Sequence, residues 1–255
     1  MPSTISTPAE LSSSARPASG RCWRVVEAQN IISTAKLTDT TAEQRILEEY
    51  IERSKPRLPP ECRHLNYLLS TPFRYGAPYP RGSRFRKAGH SPGVFYGAEN
   101  PDTAVAELCF WRLVFFAESP KTKWPTGAGE YTAFAARYAT GRAIDLTRPP
   151  FDSRKSAWAH KTRYDDCQEL SDMARSVNIE IIQYWSVRDP KRQLNMALLT
   201  CRAFAAPDPV ERQTWRIILN ANGARALCES PPIRLDFDRT AFRGDPRIDA
   251  MEWDR

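Results

Sequence analysis

Apolar residues recur in short runs broken by proline and glycine, and the spacing within each run separates strands from helices. Residues 22–28 read as a strand with Trp23, Val25 and Val26 as its apolar members. Residues 39–55 read as a helix: Thr41 and Gln44 make a capping-box pattern, and Ile46, Leu47, Tyr50 and Ile51 recur at helical spacing. Pro56, Pro59 and Pro60 stop it. Residues 67–88, studded with Pro and Gly, read as loop, and residues 93–97 as a short buried strand. Asn100-Pro101-Asp102 then opens a helix, because Asn suits the N-cap, Pro the first turn and Asp the positive end of the dipole. It runs to residue 117, and Ser119-Pro120 ends it. Residues 131–138 and 142–146 read as two strands with Gly141 in the turn between them. Asp165 or Asp166 caps a helix that reaches residue 175. Residues 179–185 and 195–200 read as strands paired across a turn at Asp189-Pro190, and residues 214–219, 224–229 and 233–238 add three more. Residues 1–20, rich in Ser, Thr, Pro and Ala without periodicity, read as a disordered tail. Strands outnumber helices with no βαβ rhythm, which predicts an α+β fold: a mixed β-sheet core with flanking helices. Residues 21–255 read as a single domain with a helical insertion over 35–60.

The chain has 255 residues, enough for a substantial core. No run of 18 apolar residues occurs; the most apolar stretch, 108–117, contains Arg112. No basic end followed by an apolar stretch opens the chain, so a cytoplasmic protein without membrane contact is expected. The six cysteines form no C-x-x-C pair and read as buried, reduced thiols. His64, His90 and His160 stand at no metal-ligand spacing, which argues against a zinc site and a Ser-His-Asp mechanism. The net charge is +7, and residues 63–98 hold no acid while carrying Arg63, Arg74, Arg81, Arg84, Arg86 and Lys87. Such a stretch is either a solvated basic face or a phosphate-binding surface.

Three pieces carry candidate chemistry. Gly82-Ser83-Arg84-Phe85 is a glycine turn delivering an arginine into the acid-free region. Tyr96 stands near the end of a buried strand, and Glu107 lies on the following helix beside the face formed by Ala104, Leu108 and Trp111. A carboxylate in so apolar a setting must be paired or functional. Taken singly, each has an ordinary alternative: Glu107 paired with Arg112, Tyr96 a core aromatic, Arg84 on the surface.

Together the runs Gly82-Ser83-Arg84-Phe85, Gly93-Val94-Phe95-Tyr96 and Ala104-Val105-Ala106-Glu107 resemble the RES domain, a family named for its Arg, Glu and Ser. Ser186, in Tyr184-Trp185-Ser186-Val187-Arg188, resembles the family serine. Trp23-Arg24-Val25 resembles the family's opening strand, although Phe73-Arg74-Tyr75 also offers an arginine and a tyrosine. The resemblance covers roughly residues 22–205, with Phe85-Arg86 where the family commonly has Trp-Asn. It implies a fold like that of bacterial ADP-ribosyltransferase toxins. It implies a toxin that consumes NAD⁺ as substrate, with no true cofactor, by hydrolysis or phosphorolysis, or that transfers ADP-ribose to a protein. It also implies a hetero-oligomer with a Xre-type antitoxin, DNA being contacted through the antitoxin. Carried onto this chain, Glu107, Arg84, Tyr96 and Ser186 become the catalytic candidates. Arg24, Arg74, Tyr75, Arg84 and Tyr96 become those that bind the dinucleotide. A reading from another class, a nucleic-acid-binding protein using the basic, aromatic stretch 63–96, lacks a helix-turn-helix, zinc-finger or RNA-recognition signature.

Overall fold

The computed structural model describes residues 7–28, 32–35, 37–74, 82–89 and 93–255. Its helices, in chain order, are α1 (Pro8–Ser14), α2 (Ile32–Ala35), α3 (Thr41–Ser54), α4 (Tyr67–Arg74), α5 (Pro101–Ala117), α6 (Lys155–Trp158), α7 (Asp165–Ser176) and α8 (Pro246–Asp249). Its strands are β1 (Arg16–Glu27), β2 (Phe95–Ala98), β3 (Gly129–Asp145), β4 (Ile181–Trp185), β5 (Leu194–Leu198), β6 (Glu211–Asn220), β7 (Gly223–Cys228) and β8 (Ile233–Asp238). The class is α+β, as the strand-rich pattern predicts.

The long strand β3 organises the sheet. One edge pairs with β1 along nearly its whole length; the other pairs antiparallel with β6 near its start and parallel with β4 over residues 143–145. From β4 the order runs through β5 and β2 back to β1, closing a ring of strands, while β7 and β8 extend the sheet beyond β6. Side chains alternate across the strands, so each feeds two cores. On β3, Ala133 and Ala135 face the core under α5, and Phe134 faces the one under α4. On β5, Met196 and Leu198 join Phe134 while Ala197 turns to a third core beneath α7. Leu113 of α5 is fully buried, and cutting such a leucine to alanine costs about 2–5 kcal/mol.

Four local expectations are corrected. Residues 7–20 are not a tail: Thr7 and Glu10 form a reciprocal capping box, Pro8 stands in the first helical turn, and Leu11 is fully buried. Residues 1–6 lie outside the described residues. Gly141 makes no turn: β3 continues through it, with a register shift against β1 between Thr140 and Ala143. α3 is capped by Thr40 and Glu43, one residue before the expected pair, and buries none of its apolar stripe; Tyr50 is 65% exposed. Residues 67–74, read as loop, form α4 despite an internal Pro72, because Leu68, Leu69 and Phe73 bury against the second core.

The thiols are a further correction. Cys62 and Cys201 are joined as a disulfide with Cα atoms 5.5 Å apart, tying the segment before α4 to the end of β5. The other four cysteines are free and buried. Burial pushes the Cys22 and Cys109 thiols up to about 12, so they stay protonated. Among the described residues, no helix is long and apolar enough to cross a membrane, and no group of three metal-ligating side chains converges.

Candidate functional site

A cavity of about 460 Å³ opens where β1, β2 and β5 meet α5 and the turn at residues 82–84. That is within the usual range for small-molecule sites. Arg24, Arg84, Tyr96 and Glu107 all line it, although 83 residues separate the first from the last. Ser186 lies directly behind Glu107. Arg74 is elsewhere: it ties α4 to α3 through Glu52 at 2.7 Å and holds that carboxyl below its ordinary range. Between the two upstream arginines the fold therefore brings Arg24 to the cavity. Tyr75 lies outside the described residues, as do Arg81 and His90.

The glycine turn is built as its sequence requires. Gly82 has φ +65°, and a Cβ there would meet the Arg86 carbonyl oxygen at 2.2 Å. The Ser83 and Arg86 amides each donate to the other residue's carbonyl, at 2.8 and 3.1 Å. Tyr96 locks this turn: its phenol oxygen accepts from the Phe85 amide at 2.9 Å and hydrogen-bonds the Ser83 hydroxyl at 2.9 Å. Burial raises the Tyr96 phenol's pKa, so the hydroxyl stays neutral. From the other side, Ser171 of α7 donates to the Phe85 carbonyl at 2.9 Å.

Of the three arginines lining the cavity, Arg84 and Arg24 differ in how far they are committed. Arg84 is 8% exposed, and its Nη1 and Nη2 donate to the carbonyls of Trp158 and His160 at 2.6 and 3.0 Å. Its guanidinium also lies over the Tyr164 ring at 4.8 Å. Among the described residues Arg24 donates once, to the Tyr96 carbonyl at 3.2 Å, and rests on Phe95 at 5.1 Å. No carboxylate pairs with Arg24 among the described residues. Burial lowers its pKa, which marks a charge that gains from an anionic partner. A bidentate clamp is thus more available from Arg24 than from Arg84.

Glu107 is held by one oxygen. Its Oε1 accepts from Ser186 Oγ at 2.6 Å and from Asn195 Nδ2 at 2.6 Å, both uncharged donors. Ser186 is itself fixed, since its oxygen accepts from the amides of Arg188 and Asp189 at 3.3 and 3.0 Å. Arg112, an alternative partner for Glu107, pairs instead with Glu27 at 2.6 Å. No ion pair reaches Glu107 and nothing binds its Oε2 among the described residues. The carboxylate is therefore oriented without being neutralised. Two more cavity residues escaped the sequence reading, Asn195 and Arg188. Asn195 left a faint trace, as the one amide in the strand read over 195–200; Arg188 left none.

The remaining basic residues of the acid-free stretch are partly paired by acids from other segments. Lys87 reaches Asp172 of α7 at 2.6 Å.

The RES domain profile matches residues 57–220, well over half of the chain. The chain belongs to the RES family. Arg84, Tyr96, Glu107, Ser186 and Asn195 lie within the matched RES residues, whereas Arg24 on β1 precedes them. The solved structure of the M. tuberculosis MbcT–MbcA toxin–antitoxin complex contains a similar chain: 10% identical, TM-score 0.46, with 82% of this chain and 92% of that one covered. The comparison with curated proteins finds no match.

Proposed function

We propose that this RES protein is a cytoplasmic toxin that cleaves the nicotinamide–ribose bond of NAD⁺ and is neutralised by a Xre-type antitoxin. Family membership supports the reading, and so does the company of Arg24, Tyr96 and Glu107 in one cavity of about 460 Å³. The observation that carries it is the state of Glu107: one oxygen pinned by Ser186 and Asn195, and among the described residues no partner on the other and no cation on either.

The chemistry asks for such a carboxylate. Nicotinamide carries its positive charge in the substrate and leaves neutral, so no general acid is needed. Loss of the ring leaves an oxocarbenium-like ribose, which a fixed negative charge stabilises. An ion pair would quench that charge; two neutral donors hold it in place and leave it intact. In this reading Oε2 stabilises the ribose or orients an acceptor. Arg24, the less committed cation, takes a phosphate oxygen. Arg84 acts chiefly by fixing the turn that shapes the cavity, and the rings of Tyr96 and Tyr184 enclose a flat base.

The test is to incubate purified protein with labelled NAD⁺, with and without phosphate, and resolve the products by mass. Release of nicotinamide is expected. Free ADP-ribose, a phosphorylated ribose product or a labelled protein band then identifies the acceptor as water, phosphate or a side chain. NAD⁺ recovered intact would reject the proposal.

A further inference from the structure

Arg188 is 4% exposed and borders two cavities at once, the one that holds Glu107 and a neighbouring one of about 250 Å³. Its two terminal guanidinium nitrogens are held, while its Nε makes no hydrogen bond among the described residues. Nη1 donates to Asp245 Oδ2 at 2.8 Å, and Nη2 donates to the Lys161 carbonyl and to the Tyr164 hydroxyl. Its flat face lies 4.1 Å above the centre of the Phe110 ring.

Asp245 also serves a second arginine. Its carboxylate accepts from Arg247 Nε and Nη2, each at 3.0 Å, and from the Arg247 amide at 3.1 Å as α8 begins. Arg247 in turn lies over Trp111, a cavity residue, at 5.1 Å. One buried carboxylate is thus divided between two guanidiniums, and the cluster keeps an excess positive charge. Glu107 acts on Arg188, and Glu118 on Arg247, only through space. An excess charge so close to a cavity is stabilised by an anion entering that cavity.

We propose that Arg188 is a substrate-contacting cation for the diphosphate of the dinucleotide, and that Asp245 is the positioning residue that aims it. This rests on the function proposed above. It extends the site into the C-terminal segment, since Asp245 and Arg247 lie beyond the 57–220 match.

Charge and position make opposite forecasts, which gives the test its edge. If Asp245 mattered only as a charge, removing it would tighten the binding of an anion. If it aims Arg188, removing it frees the side chain and weakens binding. In the full-length chain, Asp245→Asn is expected to raise KM for NAD⁺ at least tenfold with kcat changed less than threefold, and Asp245→Glu to recover most of the loss. An unchanged or lower KM in folded Asp245→Asn overturns the proposal. Should that variant not fold, Arg188→Lys keeps the charge but loses the fork, and the same rise in KM is expected. An unchanged KM there overturns it equally. Calorimetry with inorganic pyrophosphate needs no turnover and separates this proposal from the function it rests on. Wild-type protein should bind it and Arg188→Lys should bind it at least tenfold more weakly, whether or not NAD⁺ is consumed; equal affinities would reject the role of Arg188.

Discussion

Two carboxylates lie in the neighbourhood of Arg188, and the fold treats them in opposite ways. Asp245, 1% exposed in its side chain, is saturated by two arginines and a backbone amide. Glu107, half-buried at the cavity wall, receives only a hydroxyl and an amide, both on one oxygen. A carboxylate wrapped in cations is a structural clip whose field is spent on its partners. A carboxylate held by neutral donors keeps its charge for whatever enters the cavity. The difference lies in the choice of neighbours: two guanidiniums for Asp245, a hydroxyl and an amide for Glu107.

That contrast fails if the two residues respond alike to substitution. The largest effect should come from Asp245→Ala: stranding buried guanidiniums typically costs about 3–5 kcal/mol, seen here as a lower denaturant midpoint. Glu107→Gln should leave that midpoint nearly unmoved while turnover falls by about 10²–10³, the scale of losing one fixed electrostatic group. A smaller loss is expected for Ser186→Ala, which deletes one hydrogen bond to a charged acceptor worth about 1.5–3 kcal/mol. Its kcat should drop more than its KM rises, because the bond lost to Glu107 is shorter than the one lost from the Arg188 amide; a change confined to KM would mean that Ser186 serves binding instead.

The smallest effect sharpens the contrast through pH. Burial works against the Asp245 charge, but the Arg247 hydrogen bonds and the charges of Arg188 and Arg247 overcome it and hold the carboxyl below its ordinary range. A folded pKa below the unfolded one means stability that is complete above the ordinary carboxylate pKa of about 4 and is lost as pH falls through the lower folded value. Acid unfolding of wild-type protein should therefore steepen below about pH 4. Asp245→Asn should lose part of that slope; equal slopes would show that the clip adds nothing.

How much of this was legible in the sequence follows from how far apart the partners lie. α5 was readable because its start signals, Asn100-Pro101-Asp102, are adjacent, and Asn100 indeed caps it by accepting from the Thr103 amide at 2.9 Å. The turn at Gly82 was readable because only glycine suits its backbone. α4 was hidden, since the tertiary burial of Leu69 and Phe73 outweighs an internal proline. At β3, Gly141 read as a turn, yet the strand continues through it, paired with β1 at Thr140 and Ala143 and with β4 from Ala143 on. The Ser186–Glu107 bond spans 79 residues, and only the family resemblance singled out Ser186. The Arg188–Asp245 pair, 57 residues apart, left no local pattern at all, because neither residue's neighbours encode the other.

The most direct test of the central claim is the rate at which nicotinamide appears when NAD⁺ is mixed with excess wild-type or Glu107→Gln protein of equal thermal stability. Release by the wild type and at least a hundredfold slower release by the variant is the expected result. Equal rates, or no nicotinamide from the wild type, would contradict the assignment of Glu107 as the charge that drives bond cleavage.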